Sequence, residues 1–218
     1  MDPADEDRPD SRTPGLVGRG RDDIDFARIL GFSDNVIAFA LTLVAAGVVV
    51  SIATRDPSAD VKELWRDGGV ELATFLLVGV LWLRHFQVTH ALRAFDRPLI
   101  RANLAFLGCI ATAPVTVRLA LEFESGGTFA LFALTLAAAT ALLAYMTLHA
   151  RAAGMVVAGT WITSPRLSPA LLMAPTAVLL CGVPLGFVSP EAGALAVLGG
   201  ALASGLWHRR TRRGPDPG

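Results

Sequence analysis

Charge is the first thing this chain is short of. Of its 218 residues, 17% are Asp, Glu, Lys or Arg, and 19 basic residues balance 19 acidic ones. Soluble domains carry roughly 25% charged residues, so the deficit argues against a water-soluble enzyme. Zero net charge leaves no overall field to hold a nucleic acid, and none is expected as a partner. Cysteine is scarce as well. Cys109 and Cys181 each sit inside an apolar run, with neither the spacing of a metal site nor a disulfide framework. What the chain has instead is 53% apolar residues and a mean hydropathy of +0.52. That excess makes a bilayer the expected solvent.

A helix needs about 20 apolar residues to cross roughly 30 Å of hydrocarbon, and six segments qualify. Residues 1–27 mix Asp, Arg, Pro and Gly without an apolar stretch; they read as a disordered cytoplasmic tail rather than a secretory signal. Residues 29–53 form the first span, with Asp34 as its one charge. Residues 55–69 read as a polar loop with at most a turn of surface helix. The uncharged run 72–83 is short, and the second span is carried through Arg84 and His85 to Leu92 because long basic side chains snorkel. Spans at 102–121, 128–148, 167–188 and 192–207 follow. Residues 152–164 are too apolar for a free loop, and either extend the fourth span or lie along the inner surface. The expected fold is all-α and polytopic: a six-helix transmembrane domain over 28–208, between tail 1–27 and a basic tail at 209–218.

The basic residues set the orientation. Arg84, Arg93, Arg97 and Arg101 flank one loop, Arg151 and Arg166 the next on that side, and His208-Arg-Arg-Thr-Arg-Arg-Gly follows the last span, while the opposite loops are acidic on balance. By the positive-inside rule both termini are cytoplasmic, in the cell membrane, with membrane lipid as the surrounding partner.

One patch is unusual: Arg28-Ile-Leu-Gly-Phe32-Ser33-Asp34-Asn35 at the start of the first span. A carboxylate in hydrocarbon must be paired, hydrogen-bonded or wet. Arg84, His85 and Asn103 are candidate partners from other spans; the plain alternative is that Asp34, with Ser33, caps the start of its own helix. Further along, residues 39, 43, 46 and 50 fall on one helical stripe, which suits either packing or a pore lining. Thr42 lies beside it, its hydroxyl available to a partly dehydrated cation or to the carbonyl one turn back. Catalysis by Ser33, Asp34 and His85 is not expected: adjacent Ser and Asp point about 100° apart on a helix, and no nucleophile elbow or metal-binding histidine pair accompanies them. His90 and His149 stand singly near span ends, where an interfacial place is the ordinary explanation. No cofactor is expected. A proton-coupled carrier using an Asp34/His85 cluster is the alternative function to a channel.

Arg28-x-x-x-Phe32-Ser33-Asp34 followed by Val36-Ile-Ala-Phe39-Ala-Leu-Thr42-Leu43 resembles the first-helix signature of the transmembrane protein 175 family, and Trp82-Leu-Arg-His85, Asp96-Arg-Pro-Leu99, Asn103 and Ala113-Pro-Val-Thr116 resemble its next blocks in order. The likeness implies a prokaryotic six-span member of a potassium channel family. It implies a homotetramer with the first helix lining a central pore, an apolar constriction at Phe39, Leu43 and Ala46, and a supporting polar cluster of Trp82, His85 and Asn103. Potassium, with other monovalent cations, would be the permeant species. Family members usually carry Leu or Ile where Phe39 stands, so a ring of Phe39 side chains would be bulkier. Ala46 is smaller than the pattern, and Val44-Ala-Ala-Gly47 lacks the acidic residue often found near the outer end of that helix.

Overall fold

The computed structural model describes residues 16–17, 24–53, 61–123, 125–165 and 167–188. Five long helices dominate them: α1 (Ile24–Ala53), α2 (Val61–His90), α3 (Arg97–Phe123), α4 (Gly126–Ala152) and α5 (Pro169–Val188). Each contains a segment of at least 20 residues long and apolar enough to cross a membrane. The expected sixth span and the basic tail, 192–218, lie outside the described residues.

Contacts at both ends give the helix directions. α1 and α2 meet through Asp34 and Trp82 at one end and through Gly47 and Glu71 at the other, so they are antiparallel. α1 and α3 run parallel, joined by Ser33 to Asn103 and by Gly47 to Arg118. α4 and α5 are antiparallel: Arg151 donates to the Leu167 carbonyl at one end, and Gly126 meets Phe187 at the other. The arginine-flanked connections therefore gather at the end where α1 begins, hereafter the basic end.

Two cores result. Ile37, Leu77, Leu81, Phe106, Ile110, Leu136 and their neighbours fill the middle of the bundle. Phe26, Leu92, Phe95, Leu99, Met146 and Met155 close the basic end, with the Phe26 and Phe95 rings 5.2 Å apart. α4 is the central helix, 61% of its span buried, against 22% for α1. Among the described helices α1 thus has the most surface left over.

Two boundaries differ from the sequence reading. α1 starts at Ile24, and Leu16–Val17 forms a short strand β1 antiparallel to β2 (Phe95–Asp96), so part of the expected tail is ordered against the α2–α3 connection. α2 starts at Val61, well inside the segment expected as a loop. Residues 153–164 do not continue α4 and lie across the basic end of the bundle, mostly exposed or half-buried. α4 stops in a Schellman turn: Gly154 adopts φ 65°, its N–H reaches the Arg151 carbonyl, and the Met155 N–H reaches Ala150 at 2.9 Å. Glycine takes this left-handed position without a Cβ penalty. The chain then folds back across the basic end, where Arg93 donates to the Met155 carbonyl and Val157 to that of Ala91. Met155 and Ile162 are buried there, which explains the segment's apolar composition.

At the opposite end α4 and α5 approach closely because glycine lies on each. A Cβ at Gly186 would fall inside the Phe129 ring, and one at Gly126 would sit 2.9 Å from the Phe187 Cα. Overpacking of this kind costs typically about 1–3 kcal/mol. Gly186→Ala is expected to lower the melting temperature of the purified protein in detergent; a melting curve unchanged from wild type contradicts this packing.

Candidate functional site

α1 has two faces. Phe26, Ser33, Ile37, Ala40 and Val44 recur at helical spacing and are buried against α2 and α3. Phe39 is 64% exposed, and Leu43, Ala46 and Val50 are exposed on the same side. At about 100° per residue the two stripes lie roughly 120° apart. The apolar stripe therefore looks away from the subunit's own core. Thr42 is exposed beside it and donates to the Ala38 carbonyl at 2.9 Å, the local bond open to a helical threonine.

The buried face carries a directed hydrogen-bond chain near the basic end. Ser33 Oγ donates to the Ile29 carbonyl (2.9 Å) and accepts from Asn103 Nδ2 (2.9 Å), while Asn103 Oδ1 faces His85 Nε2 at 2.7 Å. An amide oxygen only accepts, so the neutral imidazole that completes the chain carries its proton on Nε2. His85 is 1% exposed and stacks on Phe106 with centroids 5.0 Å apart. Its Nδ1 has no hydrogen-bond partner among the described residues. α1, α2 and α3 each contribute one member, so the chain fixes their mutual register.

Asp34 stands next to this chain but takes a different partner. It lies ten residues inside α1, so it does not cap the helix start, and its Oδ1 accepts from Trp82 Nε1 at 3.1 Å. Of the expected partners, His85 and Asn103 bond each other, and Arg84 lines a separate cleft with Thr140, Thr147 and Trp161. Arg28 and Phe32 are exposed and take no part in the Ser33–Asn103–His85 chain.

Two further polar contacts were not read from the sequence. Glu71 of α2, 1% exposed, faces Arg118 of α3 with Nη1 to Oε1 at 3.2 Å, and Arg118 Nη2 donates to the Gly47 carbonyl of α1 at 3.0 Å. An acidic group does stand beside the far half of α1, supplied by α2 and paired with an arginine. The signal was available, since opposite charges inside consecutive apolar spans must find partners. The second contact is at the basic end, where Asp96 caps α3 by accepting from the Leu99 N–H and also holds His149 Nε2 at 2.7 Å. His149 stacks on Tyr145. It ties α4 to the start of α3 and does not merely sit at an interface.

Five apolar helices, joined by polar contacts near both ends and each exposing apolar side chains among the described residues, define a polytopic helical membrane protein. Residues 28–114 match the sequence model of a family described as endosomal/lysosomal potassium channel TMEM175. That stretch runs from the start of the signature through α2 to Pro114 of α3, and over it the family likeness is shown. The chain is also 31% identical over 104 residues to a protein of Streptomyces collinus named as a potassium channel. The alignment covers 44% of this chain and 48% of that protein, so the match spans about half the relative's length.

Proposed function

We propose that this protein is a potassium-preferring cation channel of the cell membrane, in which four copies bring α1 to a common axis and Phe39, Leu43 and Ala46 form an apolar neck. The observation that carries the reading is the orientation of α1: Ser33 and Asp34 bond to other helices of the subunit, and the stripe bearing Phe39 is left exposed by the described residues. An apolar stripe of that kind is explained by lipid or by other copies of itself. The likeness to potassium channels over residues 28–114 favours the second. A greasy neck offers ions nothing in place of hydration water; it gates by dewetting and conducts when widened. Preference for potassium over sodium then follows from its lower cost of partial dehydration, with Thr42 near enough to lend an oxygen. The sixth span, with both termini cytoplasmic, completes each subunit.

The competing carrier would titrate Asp34 and His85 together. The separate partners of these two side chains, Trp82 and Asn103, count against it. The test is reconstitution in liposomes and planar bilayers. We expect fourfold assembly, unitary current steps, and a reversal potential on the potassium side of zero under opposed potassium and sodium gradients. A monomer, or slow saturable flux that follows a proton gradient without unitary steps, overturns the channel reading.

A further inference from the structure

We infer that Glu71 and Arg118 are positioning residues for conduction: they pin α1 at Gly47 and thereby set the width of the pore beyond Leu43. The inference rests on the channel reading and adds to it a device that lies outside the pore lining.

α1 is lightly held, with 22% of its span buried. Among the hydrogen bonds that join it to neighbouring helices, two levels flank the apolar stripe. One is the Ser33–Asn103 and Asp34–Trp82 pair near the basic end; the other is the Arg118 bond to the Gly47 carbonyl. Fourteen residues, roughly 21 Å at 1.5 Å per residue, separate Ser33 from Gly47. Phe39, Leu43 and Ala46 all lie between them. A rod fixed at one point can tilt; fixed at two, it holds the residues between at a set distance from the axis.

The second pin is tight where Glu71 meets α1. A Cβ on Gly47 would stand 2.6 Å from Glu71 Oε2 and 2.7 Å from Oε1. The carboxylate therefore packs directly on α1 backbone, and no residue but glycine fits without displacement. Arg118 closes the triangle with one nitrogen on Glu71 and the other on the Gly47 carbonyl. The planar guanidinium fork suits two acceptors at once, which a lysine cannot match. Buried ion pairs add little net stability compared with apolar packing, so a geometric role explains better why two charges stand inside apolar spans.

A methyl at position 47 meets the end of the Glu71 side chain, so either the carboxylate gives way and loosens its contact with Arg118, or α1 shifts on α2; both undo the second pin. In planar bilayers Gly47→Ala is expected to change unitary potassium conductance by about threefold or more, with the oligomer intact on size exclusion. Shortening the acid by one methylene draws the carboxylate back, so the Gly47→Ala/Glu71→Asp double variant is expected to recover to within about twofold of wild type, a non-additive coupling. A purely structural role moves heat stability and leaves unitary conductance alone. Arg118→Lys keeps the charge but cannot bridge both partners; it is expected to change conductance in assembled channels and serves if Gly47→Ala does not assemble. Wild-type conductance in Gly47→Ala or in Arg118→Lys, or a double variant no better than the single one, overturns the clamp. Absence of current in the wild type overturns the channel reading itself, and the clamp's role in conduction with it.

Discussion

Asn103→Leu is expected to cost about 1–3 kcal/mol of stability, among the largest effects of any single substitution in the described structure that leaves side-chain volume nearly unchanged. Asn103 is 3% exposed and is the only link between Ser33 and His85 in their chain. Leucine fills the space and makes neither bond. Ser33 retains its bond to the Ile29 carbonyl. His85 does not recover: its Nδ1 already lacks a partner among the described residues, and losing Asn103 Oδ1 strands the Nε2 proton at 1% exposure against the Phe106 ring. A stranded donor costs more than a bond absent from both sides, so His85→Leu/Asn103→Leu should melt closer to wild type than Asn103→Leu alone. Melting of the purified protein in detergent reads both. An Asn103→Leu variant that melts with the wild type shows that the chain does not fix the α1–α2–α3 register.

Hydropathy reported where the chain can cross a bilayer and not where helices start. α2 already runs at Val61, before the apolar segment, because Lys62, Glu63 and Arg66 are residue types that form helix about as readily as leucine does. α1 likewise starts at Ile24 inside a stretch read as tail. Hydropathy left the return segment between two placements for a related reason: Met155 and Ile162 are buried by protein at the basic end, and Gly154, a glycine just past the last helical turn, was the signal for a stop. For the polar contacts of α1, the pattern named side chains that do bond across helices but did not pair Asp34 with Trp82. Burial of a charge demands a partner but does not say which, and Trp82 rather than His85 or Asn103 reaches Asp34 because the antiparallel α2 sets the indole opposite that turn. Glu71 went unread because it fell between an expected loop and an expected span.

Widening the proposed neck should produce the largest functional change. Phe39→Ala is expected to raise potassium flux into liposomes by about tenfold, equivalent to lowering the barrier by about 1.4 kcal/mol. In the proposed tetramer, four aromatic rings at one level would make the narrowest and driest section, and truncation to methyl groups would let water persist there. Phe39 is 64% exposed in its own subunit and lies outside both described cores, so the substitution leaves the subunit's packing in place. A rise in flux then reports on the path and not on the fold. Permeability to sodium should rise more than that to potassium, because a wider, wetter neck removes the dehydration step on which discrimination depends. Ion flux followed with sodium and potassium in turn separates the cases. Flux equal to wild type takes Phe39 out of the path and leaves its stripe to lipid. A rise with an unchanged ion ratio keeps the gate at Phe39 and moves discrimination one turn along α1, where Thr42 and Leu43 are the side chains next exposed on that side.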